Sequence, residues 1–100
     1  MSVDKKFYEL QDMILAKVSL EKVRLHVMER KDKTVFSWVS RELSGFFRKF
    51  QNSEKFKLLI NKIKTAIEKS DHEMLLKSVN ETISMLTLEI EKYYRELQGP

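Results

Sequence analysis

Few side chains in this sequence have the type and spacing that catalysis or metal binding requires. The chain has two histidines, His26 and His72, and no cysteine, so thiolate chemistry and a disulfide framework are both excluded. Helical enzymes with metal centres use inward Glu-x-x-His pairs, and the sequence contains none. Glycine-rich phosphate loops, nucleophile elbows and spaced carboxylate pairs are also missing. We therefore expect a protein that is not an enzyme and holds no metal or cofactor, with each histidine satisfied or exposed.

The densest group of potential binding residues lies in the segment TVFSWVSRELSGFFRKF, residues 34–50. At about 100° per residue, its apolar stripe from Phe36 to Phe50 fills one helix face, and Trp38 falls on the opposite side. The patch that we predict to bind a protein partner consists of Trp38, Arg41, Gly45, Arg48 and Lys49. Indole and guanidinium groups often carry binding energy at interfaces. In the alternative interpretation, Trp38 packs against the first helix.

Charge is distributed unevenly along the chain, whose formal net charge is +4. Residues 19–50 carry +4 and residues 51–70 carry +3, whereas residues 71–100 carry −3. The basic middle can attract the acidic end or face the phosphates of a nucleic acid. The residues predicted to contact nucleic acid are Arg41, Arg48, Lys49, Lys55, Lys57, Lys62 and Lys64.

One short stretch, residues 40–47, resembles the sliding-clamp-binding motif known as the PIP box. In that motif a glutamine is followed three residues later by an aliphatic residue and then by two adjacent aromatics. Here Leu43, Phe46 and Phe47 match the apolar positions, and Ser40 stands where the glutamine should be. The resemblance implies that the three apolar side chains plug a pocket of a clamp, whereas the helical periodicity assigns all three to the core.

Apolar spacing predicts four helices along the chain. Stripes with alternating spacings of three and four residues indicate helices near 35–50 and 54–69, and a long one that follows residue 70. Ser70 with Glu73 three positions later forms a capping-box pattern at the start of the last helix. Short polar breaks between the helices make them antiparallel neighbours. We predict one all-α domain over residues 1–100, an antiparallel four-helix bundle with up-down connectivity and long first and fourth helices.

The N-terminal third carries two adjacent apolar stripes. One contains Val3, Phe7, Leu10, Ile14 and Val18, and the other contains Met13, Ala16, Leu20, Val23 and Val27. Either a helix from about residue 3 to 30 is buried on two sides, or it kinks near Ser19. A rival interpretation takes residues 22–40 as a β-hairpin. The long helices would project beyond the short ones and leave apolar residues at their ends uncovered. Such uncovered ends favour a homodimer.

The composition also bears on location. Charged residues make up 34% of the chain, and it has no apolar run near the roughly 20 residues that a membrane span requires. We expect a soluble cytoplasmic protein that does not insert into membranes. The predicted function is a small helical adaptor or accessory subunit that binds a protein partner. The alternative is a nucleic-acid-associated protein, with a role in DNA replication or regulation, that contacts phosphates through residues 41–64.

Overall fold

The chain folds entirely into helices and connecting turns. The computed structural model describes residues 2–99 and the side chains of residues 4–99, and no strand occurs in that range. The helices are α1 (Ser2–Glu29), α2 (Thr34–Glu42), α3 (Ser44–Phe50), α4 (Lys57–Glu68) and α5 (His72–Gln98). The all-α prediction is confirmed, but there are five helices in the described range where the sequence predicts four.

The hairpin interpretation of residues 22–40 is wrong. Residues 22–29 complete α1, and residues 34–40 belong to α2. Val23 and Val27 are both buried and lie four residues apart, which is the spacing of neighbours on one helix face. The helical period of α1 therefore continues through the segment that the hairpin would have made a strand.

The α1 helix is continuous through Ser19, but it is not buried on two sides. Its stripe from Met13 to Val27 enters the core. In the other stripe Leu10 is buried, whereas Phe7, Ile14 and Val18 are exposed. The helix thus keeps one apolar face for the core and presents a second apolar face to solvent.

The helix predicted near 35–50 is interrupted at Leu43. The backbone there has φ −95° and ψ 5°, yet the Leu43 N–H still bonds the Val39 carbonyl at 2.9 Å and its own carbonyl accepts from Phe47 at 2.9 Å. Ser44 donates its hydroxyl to the Arg41 carbonyl at 2.9 Å, so a side chain competes for a helical acceptor next to a glycine. Serine and glycine pairs are common places for helices to bend.

The connection between α4 and α5 corrects the predicted capping box. Ser70 has φ 51°, a left-handed conformation, and ends α4. The N–H of Asp71 bonds the Ala66 carbonyl at 3.0 Å and that of Ser70 bonds the Ile67 carbonyl at 3.1 Å, which is the Schellman arrangement. Asp71, not Ser70, then caps α5 by accepting from the Met74 N–H at 3.0 Å. One residue cannot both close a helix in this conformation and cap the next.

Polar contacts between helices give their relative directions. Contacts that join α1 to α5 are Lys6 with Glu96, Glu9 with Tyr93, and Arg24 with Asn80. Contacts between the segment leading into α4 and α5 are Lys55 with Glu89 and Lys62 with Glu81. In each set the residue numbers rise on one helix as they fall on the other, so α5 runs antiparallel to α1 and to α4.

The core lies in the middle of the molecule, whose extents are 48 × 23 × 17 Å. Its fully buried members include Leu20 on α1, Leu43 between α2 and α3, Ile63 on α4 and Leu75 and Leu86 on α5. In α1 this main cluster begins only at Met13. The first turns of α1 and the last turns of α5 therefore form an extension that the shorter helices do not cover.

Candidate binding surface on α2, α3 and α4

Trp38 lies at the junction of α1 and α2, half-buried. Its ring centre is 4.3 Å from that of His26, and the Lys22 ammonium lies 6.0 Å from the indole centre. The helical wheel separates Trp38 from the stripe of α2, but the side chain packs against the core cluster and α1 covers one face of the indole, as in the alternative interpretation. Only the remaining part of this side chain is open to a partner.

The side of α2 and α3 that faces α1 is electrically balanced. Lys49, a member of the predicted patch, lies 3.0 Å from Asp12, and Glu42 lies 3.0 Å from Lys22. Both pairs are solvent-exposed to a large degree, so each contributes little to stability. Lys49 therefore already has an anionic neighbour within the fold.

Gly45 leaves an opening beside this junction. A Cβ atom built at Gly45 would have no other heavy atom within 4 Å. The glycine borders a cavity of about 130 Å³ between α1 and α3, whose lining includes Leu15, Ala16 and Phe46. Nothing inside the folded chain requires glycine at this position.

Arg41 on α2 and Arg48 on α3 are both exposed, on either side of the break at Leu43. On α4, Lys57 and Lys64 are also exposed. The Lys64 ammonium lies 5.2 Å from the centre of the Phe47 ring of α3, so this lysine lies beside the segment that carries Arg48.

We call Arg41, Arg48, Lys57 and Lys64 the cationic face. Within residues 4–99, none of the four has a carboxylate oxygen within 4 Å of its charged nitrogens. The other three residues predicted to contact nucleic acid are Lys49, Lys55 and Lys62, which are all paired with acids inside the fold. The structure therefore divides the predicted cations into a paired set and an unpaired set.

One buried carboxylate on α5 was not predicted from the sequence. The side chain of Glu89 is 7% exposed, and its two oxygens lie 2.6 Å from Lys55 and 3.5 Å from Lys92. Burial raises the pKa of the Glu89 carboxyl, but the hydrogen bond from Lys55 and the two positive charges outweigh burial and hold the pKa below its usual range. The signal was present in the sequence, because Glu89 follows Leu86 by three residues on the buried stripe.

A cavity of about 490 Å³ adjoins Glu89 and is lined by α1, α5 and the connection between α3 and α4. On its wall the Tyr93 hydroxyl donates to Glu9 Oε2 at 2.5 Å. That hydrogen bond, with burial and the nearby carboxylates, raises the pKa of Tyr93 to about 12. Two polar contacts at this cavity join different elements, Lys55 with Glu89 and Tyr93 with Glu9. Among the described residues no three potential ligands are grouped to hold a metal ion. The network therefore serves to join the helices.

The two histidines contact aromatic rings. His72 meets Phe36 edge-on with ring centres 4.6 Å apart, and its Nε2 atom is buried without a hydrogen-bond partner among the described residues. The expectation of a satisfied or exposed His72 is therefore wrong for this atom. His26 contacts Trp38, as described above.

The three apolar residues of the segment that resembles a PIP box are inside the protein. Leu43, Phe46 and Phe47 are all buried and belong to the core cluster. A clamp would have access to them only if α2 and α3 left the core.

Comparison with known protein families, curated proteins and solved structures finds no significant match to this chain. Within the described residues, no helix combines the length and apolar character needed to cross a membrane.

Proposed function

We propose that the chain is a small non-enzymatic helical adaptor or accessory subunit, which binds an acidic protein partner through the cationic face. The observation that carries the proposal is that four exposed cations, with no carboxylate within 4 Å among residues 4–99, lie on the neighbouring elements α2, α3 and α4, where Lys64 of α4 reaches the Phe47 ring of α3. Two arginines and two lysines held on helices form a preorganised surface for carboxylates.

The residues around the cationic face add apolar contact to its charge. The open part of Trp38 lies three residues before Arg41 on the same helix, and Gly45 leaves room for a partner side chain beside them. In this proposal α2 and α3 act as one bent element of a four-element up-down bundle. The core beneath them, with Leu43 and Phe46 buried, holds the face rigid.

Affinity purification with matched variants tests this proposal. The test variant combines Arg41→Ala and Arg48→Ala, and the control combines Lys31→Ala and Lys77→Ala, which removes the same charge from exposed positions elsewhere. We expect wild type and control to retain one protein complex after nuclease treatment, and the test variant to bind it about 30-fold more weakly, as loss of an interface hot spot would. Equal retention by the test variant would contradict the proposal.

The alternative function is binding to nucleic acid, and the four cations on α2, α3 and α4 that are unpaired within residues 4–99 favour it. Four phosphate contacts predict that affinity for duplex DNA or single-stranded RNA falls about a hundredfold between about 50 and about 200 mM salt. Fluorescence anisotropy measures this slope directly. A complex that survives nuclease, with no binding to either nucleic acid at the lower salt concentration, would favour the protein partner.

A further inference from the structure

The solvent-exposed side of α1 carries a second, regular apolar pattern. Its members follow one another at spacings of four and three residues: Phe7, Gln11, Ile14, Val18, Glu21 and Leu25. We call these six residues the outer seam. Alternation of four and three is the spacing of the contact line in a two-helix coiled coil.

The apolar members of the outer seam are left uncovered by the fold. Phe7, Ile14, Val18 and Leu25 are between 36% and 59% exposed. Scattered exposed apolar residues are ordinary, but four of them in regular register along about 27 Å of helix mark a contact surface. From this surface we propose that a second copy of the chain covers α1, in a dimer whose two α1 helices run antiparallel.

The order of residues in the outer seam is self-complementary. Read in either direction, the seam is apolar, polar, apolar, apolar, polar, apolar. Around a two-fold axis level with residue 16, Phe7 faces Leu25 of the second copy and Ile14 faces Val18. The same register sets Gln11 against Glu21, so that the amide can donate to the carboxylate. Every apolar residue then meets an apolar residue, and every polar residue meets a polar one.

Other pairings of the same seam are less favourable. A parallel pair would set Glu21 against its own copy, which brings two like charges together in an apolar contact. An antiparallel pair shifted by seven residues would set Val18 against Glu21 and Gln11 against Met28. Because a two-fold dimer uses the same patch on both copies, a pattern that matches itself favours a second copy over an unrelated protein.

Residues that flank the outer seam fit the same register. Leu15 and Tyr8 are both exposed on one flank, where Leu15 would meet its own copy and Tyr8 would lie near Lys22. On the other flank the two Lys17 side chains approach each other. Glu21, one turn along the same helix, offsets part of that repulsion.

An apolar groove lies at one end of the outer seam. It has a volume of about 390 Å³ and runs between α1 and α5, and its lining includes Phe7, Leu10, Tyr94 and Leu97. In the proposed register Leu25 of the second copy reaches Phe7, at the edge of this groove. The dimer therefore also covers the extension of α1 and α5 that the shorter helices leave exposed.

Sedimentation velocity over about 1 to 200 µM tests the dimer. We expect wild type to shift from monomer to dimer across this range. Val18→Glu places a carboxylate in both central layers and should weaken the dimer about a hundredfold or more. Leu88→Glu changes an equally exposed leucine on α5 and should leave the dimer unchanged. A wild type that stays monomeric, or equal effects of the two variants, would overturn the proposal.

Gln11→Lys tests the direction of the two helices. In the antiparallel register the new lysine faces Glu21 of the second copy, and we expect about fivefold tighter dimerisation from the two pairs. In a parallel dimer it would face another lysine and weaken the contact. Circular dichroism of each variant under dilute conditions verifies that the monomer is folded, since every altered side chain is on the surface. Weaker dimerisation of a folded Gln11→Lys would refute the antiparallel arrangement.

Discussion

Glu89 is an acidic residue in a buried position on α5. A carboxylate on the buried side of α5 is stable there because Lys55 and Lys92 both reach it. Lys55 is itself about half exposed, which reduces the strength of the pair below that of a fully buried one. The ion pair of Glu89 with Lys55 therefore joins α5 to the connection before α4 and makes a moderate contribution to stability.

The lowered pKa of Glu89 predicts how stability depends on pH. Because the folded state favours the ionised carboxyl, its contribution is present above the unfolded-state pKa of about 4.3 and is lost as pH falls through the folded-state value. We expect Glu89→Gln to lower the free energy of unfolding at pH 7 by about 1–2 kcal/mol. In urea denaturation the difference from wild type should shrink in acid. Glu68→Gln, at an exposed site, provides the control, and a difference independent of pH would contradict the assignment.

The raised pKa of Tyr93 predicts that the protein loses stability at high pH. Its hydrogen bond to Glu9 raises the pKa of the phenol to about 12, so this contribution is complete below the unfolded-state value near 10 and is lost as pH rises toward 12. Absorbance at 295 nm should show one tyrosine that ionises near pH 12. Tyr93→Phe should remove that step, and Tyr94→Phe should retain it. Persistence of the step in Tyr93→Phe would assign it to another group.

At the scale of the helix, the α4 to α5 connection contains an avoidable strain. Ser70 occupies a left-handed conformation that costs a residue with a Cβ roughly 1 kcal/mol or more and costs glycine little. Ser70→Gly should therefore raise the free energy of unfolding by about 1 kcal/mol and the melting temperature by about 4–8 °C. The Schellman hydrogen bonds from Ser70 and Asp71 involve only backbone atoms and are retained.

A second glycine substitution distinguishes relief of strain at Ser70 from a general effect of glycine on stability. Ser84 is exposed in the interior of α5, where replacing serine by glycine should cost about 0.5 kcal/mol. Opposite signs for Ser70→Gly and Ser84→Gly in thermal unfolding would confirm the local explanation. A destabilised Ser70→Gly would mean that the serine hydroxyl contributes more than the strain removes.

The helices themselves could be predicted because each carries its own periodic stripe. The stripes of α4 and α5 are visible in the sequence without knowledge of their neighbours. The break at Leu43 was not predicted, since it depends on the Ser44 hydroxyl taking a backbone acceptor. The sequence pattern predicts Ser70 as the cap of α5, where the structure has Asp71. Both residue types can cap a helix, and only the geometry of the preceding helix decides between them.

The candidate site was less predictable than the helices. Membership of the cationic face depends on which lysines reach an acid on another helix, as Lys55 and Lys62 do on α5. Those partners are more than 15 residues away in sequence, so no local pattern identifies them. Trp38 illustrates the same limit, because the wheel separates it from the α2 stripe whereas its contact with α1 depends on tertiary packing.

For the molecule as a whole, the position of the core predicts where it opens first. The main cluster begins at Met13 in α1. Before Asp12, which pairs with Lys49 of α3, the polar contacts of α1 are with the end of α5, through Lys6 with Glu96 and Glu9 with Tyr93. We expect amides in residues 5–9 and 94–97 to exchange through local opening, at a free energy well below that of global unfolding. Amides around Leu20 and Leu86 should exchange only with the whole fold.

Hydrogen exchange at two protein concentrations tests whether the outer seam affects this difference in amide protection along α1. In dilute wild type the extension should be weakly protected, and protection of residues 5–9 should rise at high concentration as a second copy covers Phe7. Val18→Glu should show the dilute pattern at both concentrations, because it removes the dimer and leaves the monomer core intact. Uniform protection along α1 in the dilute monomer would mean that contact between α1 and α5 alone is sufficient to hold this end, and that the exposed apolar face does not limit its stability.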